Sequence, residues 1–273
     1  MLRRRPPASA VISHRQAHGG DRSSRTGLGG TQVEGHHAVA ELLQARRRRV
    51  RRLWVSPGHT PDGVVSRLAA QARGEGVPVH DKSPEALAAA ALTNAPQGVI
   101  AWADPVEEVG LDDLLGTMGA TVPFLVCLDG VTDPGNLGAV MRSAVCAGAT
   151  GMVVGRHRSA PLTAAAVKAA AGAVEHLRIA VVPGVPSALG RLVAAGVWTV
   201  GLDVSGGDDI WSVPVLDGAV ALVLGAEGRG LSVLAKQRCD LLVRIPQAGV
   251  LGSLNVAAAA AVACFEVARR RAR

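Results

Sequence analysis

Apolar strand-like segments alternate with helical segments through the second half of the chain, and this alternation is the strongest constraint on the fold. Runs of Val, Leu, Ile and Cys are separated by alanine-rich or amphipathic runs. Such an alternation predicts an α/β fold with a parallel sheet and helices on both faces. The predicted strands cover residues 124–128, 151–154, 179–182, 198–202, 219–224 and 241–245, and helices are predicted at 163–171, at 186–195, after Asn136 and after Ser253.

Polar residues and glycines occur where three of these strands lead into helices. Residues 133–136, Asp-Pro-Gly-Asn, have turn chemistry, and we predict that Asn136 caps the next helix. Residues 225–232 contain three glycines, which let a backbone approach a ligand closely. Ser253 and Asn255 open the last helix. Helix capping explains such residues, and so does a ligand site, because open α/β sheets bind small molecules at the carboxyl ends of their strands.

Arg142 falls outside the apolar stripe of the helix that follows Asn136. A solvated arginine is ordinary at such a position. Because helical side chains lean towards the N-terminus, Arg142 can also reach back towards Asn136, where a phosphate would bind favourably. The chain lacks G-x-G-x-x-G and G-x-x-x-x-G-K-[ST] sequences, so dinucleotide and nucleoside triphosphate sites lose their usual support.

The N-terminal third is predicted to be a small basic α/β domain at residues 33–103. Residues 1–103 hold 15 Lys and Arg against 7 Asp and Glu, whereas residues 104–273 hold 14 against 15, so the net charge of +7 belongs to this third. The acidic residues 104–122 are predicted to be a linker. Helices are predicted at 37–45, from Thr60 to about Gly74 and from Ser83, with strands at 50–55, 77–80 and 98–103.

Six arginines stand within seven residues between the first helix and the next strand of this domain. Like charges repel unless an anion is near, so a phosphate contact is favoured over a solvated turn, with RNA or DNA as the polyanion. The chain has no Tyr and only two Phe, so base stacking on an aromatic platform is not expected. The candidate RNA-binding residues are Arg46, Arg47, Arg48, Arg49, Arg51 and Arg52.

Residues 1–32 are rich in Arg, Ser, Gly and Pro and show no apolar periodicity, so a disordered basic arm is predicted. Three interpretations stay open for it: an arm that touches phosphates, an arm without function or one arising from an upstream start codon, and a transit peptide.

Cysteine usage and apolar run length predict a cytoplasmic protein without a membrane segment. The four cysteines lack C-x-x-C spacing and lie in apolar runs, as reduced core thiols do. The longest apolar run, Val256 to Phe265, has ten residues, about half of a membrane span. No H-E-x-x-H sequence occurs, and no metal is expected.

Three segments at the strand-to-helix junctions together resemble the motifs of the SpoU (TrmH) family of RNA ribose 2′-O-methyltransferases. They are DPGNLGAVMRSA, LVLGAEGRGLS and IPQAGVLGSLNVAAAAAV, in that order. The earlier VEGHHAVAELL and QGVIA resemble the small substrate-binding domain of the branch that modifies a guanosine of large-subunit ribosomal RNA. KAAAGAVEHL is also similar to that branch.

The resemblance implies a SPOUT-type domain with a deep trefoil knot at residues 123–273, a homodimer, and S-adenosylmethionine as methyl donor. The positions that match the family's donor contacts are Leu224, Gly225, Gly230, Ile245, Pro246 and Leu254. The positions that match its catalytic polar residues are Asn136, Arg142, Glu227, Ser253 and Asn255.

The implied function is methyl transfer to the ribose 2′-hydroxyl of a guanosine in large-subunit (23S) ribosomal RNA. In such an in-line transfer, positioning of the two reactants does most of the catalysis. The family's proposal makes the arginine matching Arg142 the general base. A guanidinium has a pKa above about 12 and is a poor base, so a role in orienting ribose and phosphate is equally open.

Two alternatives remain at this point. A transfer RNA ribose methyltransferase of the same family is disfavoured, because those enzymes usually lack the N-terminal domain. A non-catalytic RNA-binding or ribosome-assembly factor is also possible, but it would not need to keep all five of the matched polar residues.

Overall fold

A computed structural model of the protein describes residues 27–57, 62–116 and 121–272. The described residues form a four-stranded and an eight-stranded sheet. The predicted helix start at Thr60 and most of the predicted arm, residues 1–26, lie outside the described residues. Within them, no helix combines the length and apolarity that a membrane span requires.

The N-terminal third contains a mixed sheet with helices packed against it. Its elements are β1 (Gln32–Glu34), α1 (His36–Ala45), β2 (Val50–Val55), α2 (Val64–Gly74), β3 (Val79–Asp81), α3 (Pro84–Ala90) and β4 (Val99–Ala103). The strand order is β1-β4-β2-β3, with β4 antiparallel to β1 and β2, and β3 parallel to β2. α1 and α2 bury Leu42, Leu43 and Leu68 in one core with Leu53 of β2.

The rest of the chain forms a wholly parallel sheet, which confirms the predicted architecture. Its elements are β5 (Glu108–Val109), α4 (Leu111–Leu115), β6 (Phe124–Asp129), α5 (Pro134–Cys146), β7 (Gly151–Gly155), α6 (Ala164–Ala169), β8 (Ile179–Val182), α7 (Val185–Ala194), β9 (Trp198–Leu202), β10 (Asp208–Asp209), β11 (Val220–Gly225), α8 (Val233–Arg238), β12 (Leu241–Arg244) and α9 (Val256–Arg271). The strand order is β10-β12-β9-β11-β6-β7-β8-β5, and every pair is parallel.

Both faces of the parallel sheet are covered by helices, as the long apolar strands require. Successive side chains of β6 point to opposite faces. Val126 and Leu128 therefore join a core with α5, α6 and α9, whereas Leu125 and Cys127 join a second core with α4, α7 and α8. The central strands β6 and β11 are thus rigidly held, and the segments that follow them leave from fixed positions.

Two predicted boundary segments contain more structure than the sequence indicated. Two residues of the predicted arm bond later parts of the chain: the Leu28 N–H donates to the carbonyl of Val106 in the predicted linker at 2.8 Å, and the Gly30 N–H donates to the carbonyl of Leu162 in the second domain at 2.7 Å. The prediction of disorder is therefore wrong for these residues. The predicted linker, 104–122, includes β5, which pairs with β8, and α4, which buries Leu114.

The prediction that all cysteines are core thiols is wrong for Cys146. Cys127 and Cys264 are buried, Cys239 is half-buried and Cys146 is exposed. Burial raises the pKa of Cys264 to about 12. Cys146 lies on the solvent side of α5 in spite of its apolar neighbours, because the helical repeat places it on the same side as the exposed Arg142.

Candidate active site

One crevice is bounded by the segments that follow β6, β11 and β12. β11 lies beside β6, with Gly225 opposite Asp129, so both strands end at the same edge of the sheet. The chain enters α5 after β6, residues 226–232 follow β11, and residues 245–255 lead from β12 into α9. The structure thus brings together the three polar segments that the sequence singled out.

Three of the predicted polar residues form a hydrogen-bonded network in this crevice. The Asn136 amide donates to one Glu227 carboxylate oxygen at 3.1 Å. The Asn255 amide donates to the Asn136 side-chain oxygen at 3.0 Å and to the other Glu227 oxygen at 3.4 Å. One carboxylate therefore fixes two amides that lie 119 positions apart in the chain.

The capping of α5 and α9 determines which side-chain atoms of Asn136 and Asn255 are free to join the network. The prediction that Asn136 caps α5 is wrong: the helix begins at Pro134, and Asp133 caps it by accepting the Asn136 backbone N–H at 2.7 Å. Pro134 suits the first helical position because it has no N–H to satisfy. The Asn136 side chain is thereby released to the network. Asn255 serves both purposes, since its oxygen caps α9 by accepting the Ala257 N–H at 2.8 Å while its amide donates to the network.

Ser253 lies at the crevice, and Arg142 lies six positions after Asn136 in α5; neither joins the network. Both are exposed. Ser253 lines a cavity beside Asn255. Arg142 is on the exposed side of α5, and no side chain among the described ranges, 27–57, 62–116 and 121–272, pairs with its guanidinium. A cation without a carboxylate partner at this place is available to an anionic ligand.

A cavity of ≈ 360 Å³ lies between residues 224–230 and 245–255. This volume is within the range of roughly 300–1,000 Å³ that small-molecule sites occupy. Of the predicted donor contacts, Pro246 lines a neighbouring hollow with Val250 and Leu251 instead. The other five line the cavity: Leu224, Gly225, Gly230, Ile245 and Leu254.

The wall of this cavity depends on a glycine at the end of β11. A Cβ atom added to Gly225 would lie 2.1 Å from the backbone carbon of Gly230 and 2.2 Å from the nitrogen of Leu231. Ala226 and Gly230 exchange backbone hydrogen bonds of 3.0 and 2.8 Å, which close the turn. The turn presents main chain and small residues to the cavity. A site that holds its ligand through backbone groups requires such a surface.

An ion pair in the cavity was not predicted from the sequence. Lys236 Nζ lies 2.6 Å from Asp203 Oδ2, and the Asp203 side chain is 5% exposed. Burial raises the pKa of the Asp203 carboxyl, but the hydrogen bonds from Lys236 and Ser205 outweigh burial and hold the pKa below its usual value. The available signal was position, because Asp203 directly follows the predicted strand 198–202 at its carboxyl end.

The arginine-rich turn includes one residue that cannot contact RNA as predicted. Arg48 is buried and holds the Glu175 carboxylate through two of its nitrogens, one at 2.9 Å. It also donates to the carbonyls of Gly30 at 2.9 Å and Asp104 at 2.7 Å. Its donors are used to join the N-terminal third to the rest of the chain. We therefore remove Arg48 from the candidate RNA-binding set.

The other five arginines of the turn are exposed. Arg46 pairs with Glu75 at 2.9 Å and Arg51 pairs with Asp104 at 2.6 Å. Arg47 donates to the carbonyls of Glu175 and Leu177. Surface ion pairs are weak, so a phosphate can replace the carboxylate partners.

Two family profiles match the chain. The profile described as "SpoU rRNA Methylase family" matches residues 123–265. The profile described as "RNA 2'-O ribose methyltransferase substrate binding" matches residues 32–109. The crevice lies within the first match and the arginine-rich turn within the second.

Curated relatives match over most of their length. The chain is 37% identical over 243 residues to the 23S rRNA (guanosine-2'-O-)-methyltransferase RlmB of Pseudomonas putida, which covers 88% of this chain and 96% of that relative. It is 38% identical over 245 residues to the RlmB of Pseudomonas aeruginosa, with coverage of 88% and 96%.

Solved structures share the fold over both sheets. The SpoU methyltransferase AviRb from Streptomyces viridochromogenes, in complex with AdoMet, superposes with a TM-score of 0.73 at 25% identity, covering 88% of this chain and 90% of that chain. An AdoMet-bound rRNA methyltransferase from Sinorhizobium meliloti gives 0.71 at 28% identity, covering 88% and 87%.

Proposed function

Since the chain belongs to the SpoU family of rRNA methylases, we propose that its crevice methylates the ribose 2′-hydroxyl of a guanosine in 23S ribosomal RNA. The protein is an S-adenosylmethionine-dependent RNA 2′-O-methyltransferase. The observation that carries the proposal is the network of Asn136, Glu227 and Asn255 beside a cavity of ligand size. The resemblance stated from the sequence motifs is confirmed at the level of the family.

The cavity fits the methyl donor. Leu224, Ile245 and Leu254 give it apolar walls for an adenine ring, and Gly225 and Gly230 let the ligand approach the main chain of the turn closely. When bound, S-adenosylmethionine supplies a methyl group on a positively charged sulfur. We assign the donor contacts to these five residues, with Pro246 acting indirectly by ending the strand before the loop.

The acceptor ribose is positioned by the network. Amides held by Glu227 present fixed donors and acceptors, so a hydroxyl that bonds them loses little further freedom when it aligns with the methyl group. Ser253 adds a hydroxyl at the cavity rim. We assign Arg142 to the ribose and its neighbouring phosphate, because a guanidinium is a poor base and a good bidentate partner for phosphate.

The experiment that tests these roles compares wild type with Arg142→Ala and Arg142→Lys. Tritium transfer from labelled S-adenosylmethionine to 23S rRNA is measured together with donor binding by calorimetry. Arg142→Ala is expected to lose transfer while it keeps its donor affinity, and Arg142→Lys, which keeps the charge, is expected to retain part of the transfer. Full transfer by Arg142→Ala would remove Arg142 from the mechanism.

We also propose the finer properties that the family resemblance implies. The loops at 225–232 and 245–255 belong to a deep trefoil knot, and the lining of one cavity by residues of both loops supports their close approach. The protein acts as a homodimer, which would cover exposed apolar residues such as Val233 and Phe265. It works in the cytoplasm and needs no metal.

The division of labour between the domains is a proposal too. Residues 33–103 bind RNA, residues 123–273 carry the methyltransferase site, and residues 104–122 connect them. The exposed arginines of the turn contact RNA phosphates. The uneven charge distribution along the sequence supports this division, since the N-terminal third carries the excess of basic residues.

A further inference from the structure

The outer face of the first sheet carries two tryptophans and two cations in contact. The rings of Trp54 on β2 and Trp102 on β4 meet edge to face, with centroids 4.9 Å apart and planes at 64°. The Arg52 guanidinium lies 4.3 Å from the Trp102 centroid and 5.4 Å from the Trp54 centroid. Lys82 Nζ lies 5.0 Å from the Trp54 centroid. We call these four residues the tryptophan platform.

We propose that the tryptophan platform binds an unpaired base of single-stranded RNA by stacking on an indole. The inference rests on the proposed function, and it names a contact that the substrate RNA makes far from the crevice. It reverses the expectation, drawn from the scarcity of Tyr and Phe, that the protein has no surface for base stacking.

Strand alternation places the platform on the face away from the helices α1 and α2. Arg52 and Trp54 flank Leu53, which is fully buried in the core that those helices share. Residues on either side of a buried strand residue project to the opposite face. Trp102 stands directly opposite Arg52 across the β2 and β4 pair. Both tryptophans are only half-buried, so part of each indole is open to solvent.

A β-bulge connects the platform to the arginine-rich turn. The register between β2 and β4 shifts between Val50 and Arg52, so Arg51 is the extra residue. Bulges re-aim side chains at the edges of binding sites. Arg49 and Arg51 are exposed and precede Arg52 of the platform by three positions and one position in the chain. An RNA strand whose base stacks on Trp102 would therefore have cations for its adjacent phosphates.

The chemistry of the platform favours a nucleobase as its occupant. Arg52 lies over the Trp102 ring and Lys82 over the Trp54 ring, so a planar base that carries a phosphate would meet both an aromatic surface and positive charge there. Stacking of a base on an aromatic ring is stronger than an exposed cation–π contact, so a base can displace Arg52 from Trp102. The released guanidinium then binds a phosphate of the same strand.

The test measures whether the bases of an RNA contribute to binding. The full-length protein is titrated with a short single-stranded oligoadenylate and with an abasic oligomer of equal length and charge. Wild type is expected to bind oligoadenylate roughly tenfold more tightly than the abasic oligomer. The preference should vanish in Trp102→Leu, persist in Trp102→Phe, and persist in Trp211→Leu, which alters a tryptophan of the other domain that is 44% exposed.

Equal affinity of wild type for the two oligomers would overturn the proposal, and so would an undiminished preference in Trp102→Leu and Trp54→Leu. If the leucine variants unfold, tryptophan fluorescence of a folded variant tests the proposal instead. The double variant Trp198→Phe, Trp211→Phe leaves the platform indoles as the tryptophans of the chain. Their emission should be quenched by oligoadenylate, and unchanged emission would contradict the platform. Methyl transfer to 23S rRNA by wild type, measured alongside, shows separately whether the proposed function holds.

Discussion

Glu227 accepts hydrogen bonds from two amide side chains, Asn136 and Asn255, that reach it from different helices. Each amide has limited bonding capacity, and the capping of α9 already uses the Asn255 oxygen. The orientation of both amides therefore depends on one carboxylate. Single residues at this scale control alignment of the acceptor rather than folding, because the network lies near the surface.

Removal of the Glu227 carboxylate should affect methyl transfer far more than folding. Glu227→Ala removes the acceptor of the Asn136 amide and one of the two acceptors of the Asn255 amide. Methyl transfer should therefore fall at least about tenfold, while the free energy of unfolding changes by less than about 1 kcal/mol. Single-turnover transfer to 23S rRNA and denaturant unfolding measure the two effects. Glu107→Ala, which removes an exposed carboxylate outside the crevice, is the matched control. Unchanged transfer in Glu227→Ala would mean that the network has no part in catalysis.

At the scale of elements, the turn after β11 shapes the crevice, and the C-terminal end of α9 anchors that helix to the segments before β6 and β11. Gly225 admits no side chain because the backbone at residues 230 and 231 passes against it. At the end of α9, Glu266 bonds Arg269 and Arg270, while Arg271 donates to the carbonyls of Val122, Pro123 and Gly218. Arginines at a helix C-terminus also complement the helix dipole.

Gly225→Ala should displace the turn after β11 and weaken the binding of S-adenosylmethionine. The added methyl group would lie 2.1 Å from the Gly230 backbone, so the turn must move and donor affinity should drop by about a hundredfold or more. Calorimetry with S-adenosylmethionine measures this loss. Gly249→Ala is the control, since a Cβ at that position meets nothing within 4 Å. Equal donor affinity in wild type and Gly225→Ala would place the donor elsewhere.

Ionised Glu266 stabilises the end of α9, so the free energy of unfolding should depend on pH through this carboxyl. The Arg269 hydrogen bond lowers the pKa of Glu266 more than burial raises it, and Arg270 lowers the pKa further. A carboxyl whose folded pKa lies below its unfolded value stabilises the protein above the unfolded pKa, and this stabilisation is lost as the pH falls through the folded value. Unfolding measured from about pH 7 to about pH 3 should therefore show less acid sensitivity in Glu266→Gln than in wild type. Identical pH profiles would contradict the assignment.

At the scale of the whole molecule, a buried ion pair joins the two sheets. Arg48 comes from the loop before β2 and Glu175 from the short helical turn before β8, and their side chains are 4% and 1% exposed. Arg48 additionally donates to the carbonyls of Gly30, just before β1, and Asp104, just after β4. The contact fixes the N-terminal third against the eight-stranded sheet, and under the proposed function it lets the exposed arginines and the crevice act on one RNA.

Arg48→Ala should destabilise the protein by about 3–5 kcal/mol, because it leaves the Glu175 carboxylate buried without a partner. Denaturant unfolding measures the loss. The double variant Arg48→Met, Glu175→Leu should recover most of it, since both charges are then removed together. Arg49→Ala, an exposed neighbour, should leave stability within about 0.5 kcal/mol of wild type. A similar small effect from Arg48→Ala would show that the pair does not hold the domains.

The parts of the fold that local sequence decides were predictable, and the long-range pairings were not. Apolar alternation predicted the strands β6 to β9, β11 and β12, because burial on both faces needs continuous apolar runs. It did not predict β10, which consists of Asp208 and Asp209. Asp133 and Asn136 are both residue types that cap helix N-termini. The capping residue is Asp133 because the helix begins at Pro134. The burial of Arg48 depends on Glu175, 127 positions away, a contact that local sequence patterns do not specify. The tryptophan platform was missed because two of the four tryptophans meet only across paired strands.

The most direct test of the proposed function is transfer of tritium from labelled S-adenosylmethionine to transcripts of large-subunit rRNA, small-subunit rRNA and transfer RNA, followed by nuclease mapping of the labelled ribose. Label confined to the 2′-oxygen of a guanosine in the large-subunit RNA is the predicted result. Label on transfer RNA or small-subunit RNA alone, or no label on any transcript or on ribosomal particles by a folded, donor-binding protein, would contradict it.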